Sequence, residues 1–134
     1  MGYTHYWRTD GGLVIDDETY AKIVEGIKQI SATAQEAGVQ ISEVYEDDEL
    51  YINGVGHYEH ETFIFAKTLD EFNFCKTAGK PYDMVVTASL IYAKKILGDA
   101  LTIKSDGRWL DWGDGVLLYE TTFNEIPTQE EVFA

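Results

Sequence analysis

The pattern of apolar and polar positions predicts short strands separated by turns. Residues 3–8 alternate with aromatic side chains on both faces, which is typical of a central strand. Weaker alternation over residues 39–45 and 50–53 predicts a hairpin around an acidic turn. With the further segments 62–67, 72–75 and 101–104, we expect a sheet of about five to six strands.

Helical spacing predicts three helices. The first begins after an N-cap at Asp16 or Asp17 and ends near Gly38. The second, residues 84–97, is apolar on nearly every face and is therefore expected to be buried. The sequence leaves open whether a second subunit supplies part of that burial, as in a homo-oligomer. A third, shorter pattern covers residues 112–123.

The order of these elements predicts an α+β fold with a mainly antiparallel sheet and three helices, the largest two packed on the sheet. A chain of 134 residues fits one domain, expected over residues 1–126, with a loose tail over 127–134. The sequence contains no apolar run long enough to span a membrane and no signal-peptide core near its start. Together with the single cysteine, this predicts a cytoplasmic protein.

The chain carries a formal charge of −14, from 24 acidic and 10 basic residues. Such a surface repels duplex nucleic acid and anionic membranes, so neither is an expected partner. Two classes remain: a protein that binds a basic partner, and a protein with one local cationic pocket. Five of the ten basic residues lie in or beside strand-end or turn segments and are candidates for one pocket if folding brings them together: Arg8, Lys76, Lys80, Lys104 and Arg108.

The segment 72–83 predicts a strand followed by a turn into the buried helix. Its first residues alternate, with Phe72 and Phe74 on one face and Cys75 on the other, as in a strand half-buried against a core. Cys75 is expected to be buried rather than reactive. Asp83 is well placed to cap the helix. Lysines at both ends of the turn would then lie near the helix N-terminus, an arrangement that suits a phosphate or carboxylate.

A loop over residues 54–61 combines glycines, histidines and carboxylates. His57, His60 and Glu61, like His5 and Cys75, are acceptable ligands for a transition metal. No established ligand spacing is present, so the sequence predicts no metal and no other cofactor. The more common role is that His60 and Glu61 orient a ligand or each other.

Several short motifs together resemble a family of small uncharacterised proteins found in phages, prophages and bacterial genomes. They are Tyr3-Thr4-His5-Tyr6-Trp7, Asn53-Gly54, His60-Glu61-Thr62-Phe63, Phe74-Cys75-Lys76-Thr77 with Lys80-Pro81-Tyr82-Asp83, Ser105-Asp106-Gly107 and Trp112. The resemblance covers most of the chain. It implies a phage or mobile-element setting, an infected or lysogenic bacterial host, and a pocket built from these motifs.

These observations predict a protein that binds a small phosphate-bearing nucleotide without turnover. By analogy with phage proteins of this size, the nucleotide would be a host-defence signal of the cyclic nucleotide or cyclic ADP-ribose type. In the predicted site, cations bind phosphate (Lys76, Lys80, Arg108) and rings stack on a base (Trp7, Tyr82). Polar groups hydrogen-bond sugar or base (Asn53, His60, Asp106), and Glu61 orients a histidine. Core packing is the more common role of any one aromatic ring.

Two alternatives stay open at this stage. A small hydrolase or transferase acting on a similar nucleotide could use His60 or His5 as general acid or base, with Glu61 orienting the imidazole. An inhibitor of a host defence enzyme or nucleic-acid-binding enzyme could instead present its acidic surface, formed by residues 43–49 and the acidic tail.

Overall fold

The structure, a computed structural model, describes residues 3–133. Over this range the strands are β1 (Thr4–Arg8), β2 (Leu13–Val14), β3 (Ser42–Tyr45), β4 (Glu49–Asn53), β5 (Phe63–Ala66), β6 (Thr68–Leu69), β7 (Phe72–Lys76) and β8 (Thr102–Ser105). The α-helices are α1 (Asp17–Glu36), α2 (Asp83–Leu97), α3 (Gly113–Phe123) and α4 (Gln129–Val132). Short 3₁₀ turns lie at Gly56–Tyr58, Gly98–Ala100 and Trp109–Trp112. The α+β fold predicted from the sequence is confirmed.

The strands form three small antiparallel sheets instead of the single sheet expected. Their orders are β7-β1-β8, β3-β4-β5 and β2-β6, so β1 is a central strand as predicted. The two-residue strands β2 and β6 pair only with each other. The two three-stranded sheets contact each other directly, because Trp7 of β1 packs against Phe63 of β5.

The helices and the sheets share one hydrophobic core. In α1, Ile23, Ile27 and Ile30 recur at helical spacing and are fully buried. Helix α2 packs against both α1 and α3, which explains why its sequence is apolar on nearly every face. None of the helices within residues 3–133 is long and apolar enough to cross a membrane.

Local signals set the helix ends. Asp16 is the N-cap of α1, where its Oδ1 accepts a hydrogen bond of 2.8 Å from the backbone N–H of Thr19. Gly38 follows this helix with φ +96°, and Gly98 closes α2 with φ +57°. The expectation for Asp83 was wrong. It is the first residue of α2, and its carboxylate bonds to other elements of the fold.

The segment after residue 126 was expected to be loose, and residues 127–133 are instead packed. Val132 is 1% exposed and belongs to the core. The ring of Phe133 lies edge-on to Trp112, with 4.9 Å between ring centroids. Thr128 caps the short helix α4 by accepting from the N–H of Glu131. The segment is ordered because its apolar side chains have partners in the core.

Candidate functional site

Strand β7 buries its cysteine and exposes its phenylalanines. Phe72 and Phe74 are 51% and 55% exposed, whereas Cys75 is fully buried. The register with β1 explains this, because Cys75 lies opposite the buried His5 while Phe74 lies opposite Tyr6 on the outer face. Burial, reinforced by Glu61, raises the pKa of the Cys75 thiol to about 12. The thiol is therefore protonated at neutral pH and is a poor nucleophile.

Two rings predicted to stack on a base are part of the core. Trp7 is 1% exposed and packs against Phe63, with 5.2 Å between ring centroids. Tyr82 is fully buried, and its hydroxyl donates to the carbonyl oxygen of Glu61. Neither ring face is open to a ligand, so Trp7 and Tyr82 are removed from the candidate site.

A buried chain of hydrogen bonds links β1, β8 and α2. His5 is fully buried, with Nδ1 2.8 Å from Ser105 Oγ and Nε2 2.6 Å from Asp83 Oδ1. Thr77 Oγ1 also donates to Asp83 Oδ1, at 2.5 Å. A carboxylate only accepts hydrogen bonds, so His5 Nε2 carries a proton and donates to Asp83; in the neutral imidazole, Nδ1 then accepts from the Ser105 hydroxyl.

This chain has the connectivity of a Ser-His-Asp triad, but the serine oxygen is fully engaged. Ser105 Oγ accepts from Trp112 Nε1 at 3.1 Å and from the N–H of Gly107 at 2.9 Å, while it donates to His5. Together with its bond to Cβ, these contacts fill the four tetrahedral directions around the oxygen. No direction remains for an electrophile, so Ser105 joins parts of the fold and does not act as a nucleophile.

The loop over residues 54–61 is fixed by the side chain of Asn53. Its Nδ2 donates to the carbonyl of His60 and to Thr62 Oγ1, and its Oδ1 accepts from the N–H groups of Gly54 and His60. All four hydrogen-bonding positions of this amide are used, so Asn53 closes the loop and is not available for a ligand. His60 is exposed, and Glu61 Oε1 accepts from the N–H of Lys76 at 2.9 Å.

Five surface cavities within residues 3–133 differ in the charged residues that line them. Three mix lysine or arginine with carboxylates, and a fourth has no charged lining residue. Lys80, predicted to bind phosphate, lines a cavity with three carboxylates: Asp83, Asp111 and Asp114. A phosphate in that cavity would be repelled more strongly than it is attracted, so the helix start at Asp83 is not a suitable anion site.

The fifth cavity, which we call the Trp109 groove, has cations and no carboxylate. It measures about 270 Å³ and is lined by Ile103, Lys104, Ser105, Gly107, Arg108, Trp109, Gln129 and Phe133. Its aromatic wall is built from Trp109 and Phe133, whose rings meet edge to face with 5.6 Å between centroids. Arg108 is held loosely, with its Nε 3.4 Å from Asp111 Oδ2 and its side chain 79% exposed.

Backbone groups of the edge strand β8 also face this groove. The N–H of Asp106 donates to the carbonyl of Thr4 at 2.9 Å, which makes these two residues a hydrogen-bonded pair. Such pairs alternate along antiparallel strands, so Ile103 and Ser105 direct their N–H and C=O groups away from β1. The groove therefore offers donors and acceptors beside its cations and rings.

The nine residues predicted for one site are not gathered in one cavity. Arg108 lines the Trp109 groove, and Lys80 lines the acidic cavity on the other side of Asp111. Asp106 is exposed, but its carboxylate accepts from the N–H of Thr4 at 3.1 Å and from the Tyr6 hydroxyl at 3.4 Å. Lys76 lies on the outer face of β7. No three histidine, cysteine or carboxylate side chains within residues 3–133 converge as a metal-binding group.

The sequence reasoning missed Phe133 and Gln129, because it treated their segment as a loose tail. An aromatic residue spaced one helical turn after Gln129 was a signal that this segment packs.

No family model matches the chain, and neither a curated protein nor a solved structure is significantly similar to it. The resemblance to phage and prophage proteins therefore stays a prediction.

Proposed function

We propose that this protein binds a small phosphate-bearing nucleotide in the Trp109 groove and holds it without turnover. The observation that carries the proposal is the charge of the groove. A chain with 24 acidic and 10 basic residues has two cations and no carboxylate in this one lining. Such a local reversal of charge favours an anionic ligand.

The cations would hold phosphate. Among residues 3–133, Lys104 takes part in no ion pair, and Arg108 engages only its Nε, in a long contact with Asp111. The terminal amino groups of Arg108 keep the planar fork that pairs with two phosphate oxygens. Phosphate binding at this point would compensate the charge of Lys104, which has no ion-pair partner within residues 3–133, and that of Arg108, which is only partly compensated by Asp111.

The aromatic wall and the edge of β8 would hold the base. Trp109 is half-buried, so its ring is fixed by packing while part of it borders the groove. A fixed ring loses little entropy when a base stacks on it. The backbone groups of Ile103 and Ser105 can hydrogen-bond a base edge in the way an added strand would. The volume of about 270 Å³ suits part of a nucleotide, with its phosphate extending to solvent.

Binding without turnover is supported by the state of two side chains that could have been nucleophiles, Ser105 in the groove and Cys75 on β7. Ser105 is saturated by three hydrogen bonds, and Cys75 is buried with a raised pKa. Within this proposal, the resemblance to phage and prophage proteins favours a host-defence signal, of the cyclic nucleotide or cyclic ADP-ribose type, as the nucleotide.

The proposal is tested by incubating the protein with a panel of linear nucleotides, cyclic nucleotides and cyclic ADP-ribose isomers. We expect one class to be depleted from solution and recovered intact after the protein is denatured by heat. Arg108→Gln should weaken that binding at least about tenfold, because it removes charge-assisted hydrogen bonds to phosphate.

The matched control is Lys22→Gln, which removes an exposed positive charge on α1 away from the groove. It should leave binding unchanged. Recovery of an altered ligand would favour the enzyme alternative. Equal losses in both variants, or no depletion by the wild-type protein, would overturn the groove proposal.

A further inference from the structure

The solvent side of the β7-β1-β8 sheet has an unusual composition. Three positions from each strand alternate outward: Phe72, Phe74 and Lys76; Thr4, Tyr6 and Arg8; and Thr102, Lys104 and Asp106. These nine positions include three rings and three cations against one carboxylate. We call this surface the aromatic face. It carries a formal charge of +2 on a protein whose total is −14.

The rings form one continuous platform. The Tyr6 and Phe72 centroids are 5.8 Å apart, and those of Phe72 and Phe74 are 5.9 Å apart, with interplanar angles of 33° and 37°. Both phenylalanines are more than half exposed. Exposed aromatic rings in a contiguous cluster are unusual on a surface without a partner, so this cluster marks an interaction surface.

The cations of the aromatic face lack close ion-pair partners, although Arg8 lines a cavity together with Asp10 and Asp99. None of the ion pairs within residues 3–133 includes Arg8, Lys76 or Lys104. A second copy docked face to face would bring the same three cations of each copy into one interface, which is electrostatically unfavourable. Charge complementarity therefore favours a polyanion that also presents flat, apolar surfaces.

We propose that the aromatic face binds single-stranded nucleic acid. Unpaired bases would stack on Phe72, Phe74 and Tyr6, and the phosphates between them would pair with the three cations. Open sheet faces with exposed rings bind single strands in this way, with one base on each ring. A duplex hides its base faces and would bring more phosphates towards the acidic remainder of the surface, so it should bind poorly.

The aromatic face shares Lys104 with the Trp109 groove, but its rings lie apart from the groove. The phenylalanines lie on β7, at the opposite edge of the sheet from β8 and the groove. A variant of these rings leaves every groove residue in place, so the two proposals can fail separately.

The test measures fluorescence anisotropy of labelled oligouridine and oligothymidine strands of equal length, with a labelled duplex beside them. We expect the wild-type protein to bind at least one single strand in low salt and to bind the duplex more weakly. The double variant Phe72→Leu with Phe74→Leu keeps apolar side chains but removes the rings, and should weaken binding about tenfold or more. The double variant Phe72→Tyr with Phe74→Tyr keeps the rings and should bind about as tightly as the wild-type protein.

The matched control is Ile64→Leu, an exposed apolar position on β5 in the other three-stranded sheet. It should not change binding. Lys76→Gln should reduce the slope of log affinity against log salt by about 0.7, the value for one phosphate contact to a single strand. Circular dichroism melts verify that each variant is folded.

Three results would overturn the proposal: no binding of either single strand, equal binding of the duplex, or unchanged binding by the leucine variant. The wild-type protein could also sediment as a dimer that is lost in the leucine variant. If it then binds no single strand, the aromatic face would be an interface with a second copy instead. Binding of only one of the two strands supports the proposal and identifies which sugar is preferred.

Discussion

At the scale of single residues, Ser105 organises more of the site than any side chain that the sequence suggested. Its hydroxyl connects His5 of β1, Trp112 of the 3₁₀ turn and the backbone of Gly107. His5 in turn reaches Asp83 at the start of α2. One oxygen therefore holds together the wall from which the Trp109 groove is built.

Ser105→Ala should lower the free energy of unfolding by about 2–4 kcal/mol, because three hydrogen-bonding groups in a part-buried site lose their partner. Urea unfolding followed by tryptophan fluorescence measures this change. Ser42→Ala, at an exposed position of β3, is the matched control and should stay within about 0.5 kcal/mol of the wild type. Similar values for the two variants would show that the network does not stabilise the fold.

Individual residues also show where prediction from the sequence ends. The alternation around Phe74 predicted a strand correctly, because alternation is a local property. Which face is buried depends on the register with β1, where Trp7 and His5 occupy the inner side. The contact between His5 and Ser105 joins positions 100 residues apart, and no local pattern encodes it. Pocket residues were therefore harder to predict than strands.

At the scale of elements, the packing of α3 on α2 depends on one glycine. A Cβ added at Gly115 would lie 1.8 Å from Thr87 Oγ1 and 2.8 Å from Thr87 Cβ. Thr87 cannot easily move away, because its hydroxyl donates to carbonyl oxygens of α2 and its branched side chain has few rotamers. The absence of a side chain at Gly115 lets the two helices approach closely.

Gly115→Ala should destabilise the protein by about 1–2 kcal/mol, since the overpacking cost exceeds the gain in helix propensity. Gly113→Ala in the same helix is the control, because an added Cβ there meets nothing within 4 Å. It should be neutral or stabilising by up to about 1 kcal/mol. Thermal melts of both variants measure the difference, and a Gly115→Ala protein as stable as Gly113→Ala would contradict the packing argument.

Element ends were predicted better than element contacts. Asp16 and Gly38 have the expected positions, because capping depends on a few neighbouring residues. Helix α4 was missed, because a helix of four residues has too little periodicity to be recognised. Its order comes from contacts with distant parts of the chain.

At the scale of the whole molecule, the buried phenols and the buried thiol should make the protein less stable at alkaline pH. Burial raises the pKa of Tyr3, Tyr20 and Cys75 to about 12 each. Burial is also the main cause of the raised pKa of Tyr82 and Tyr119. In the unfolded chain these groups lose their protons near their ordinary pKa values, about 8.5–10.

Below about pH 8.5 these groups should therefore not change the free energy of unfolding. As the pH rises from about 9 towards 12, the free energy of unfolding should fall. Over that range the unfolded state binds fewer protons than the folded state, which favours unfolding. Urea unfolding at a series of alkaline pH values measures the slope. Tyr20→Phe should reduce it, and a slope of zero in the wild-type protein would contradict the burial of these groups.

Lys104 belongs to both the Trp109 groove and the aromatic face. One ammonium group compensates one phosphate at a time, so a nucleotide in the groove would take a charge that a strand on the face also needs. The two ligands would then antagonise each other, and each would weaken the other by the same factor. A protein arranged in this way would release one kind of anion as it captures the other.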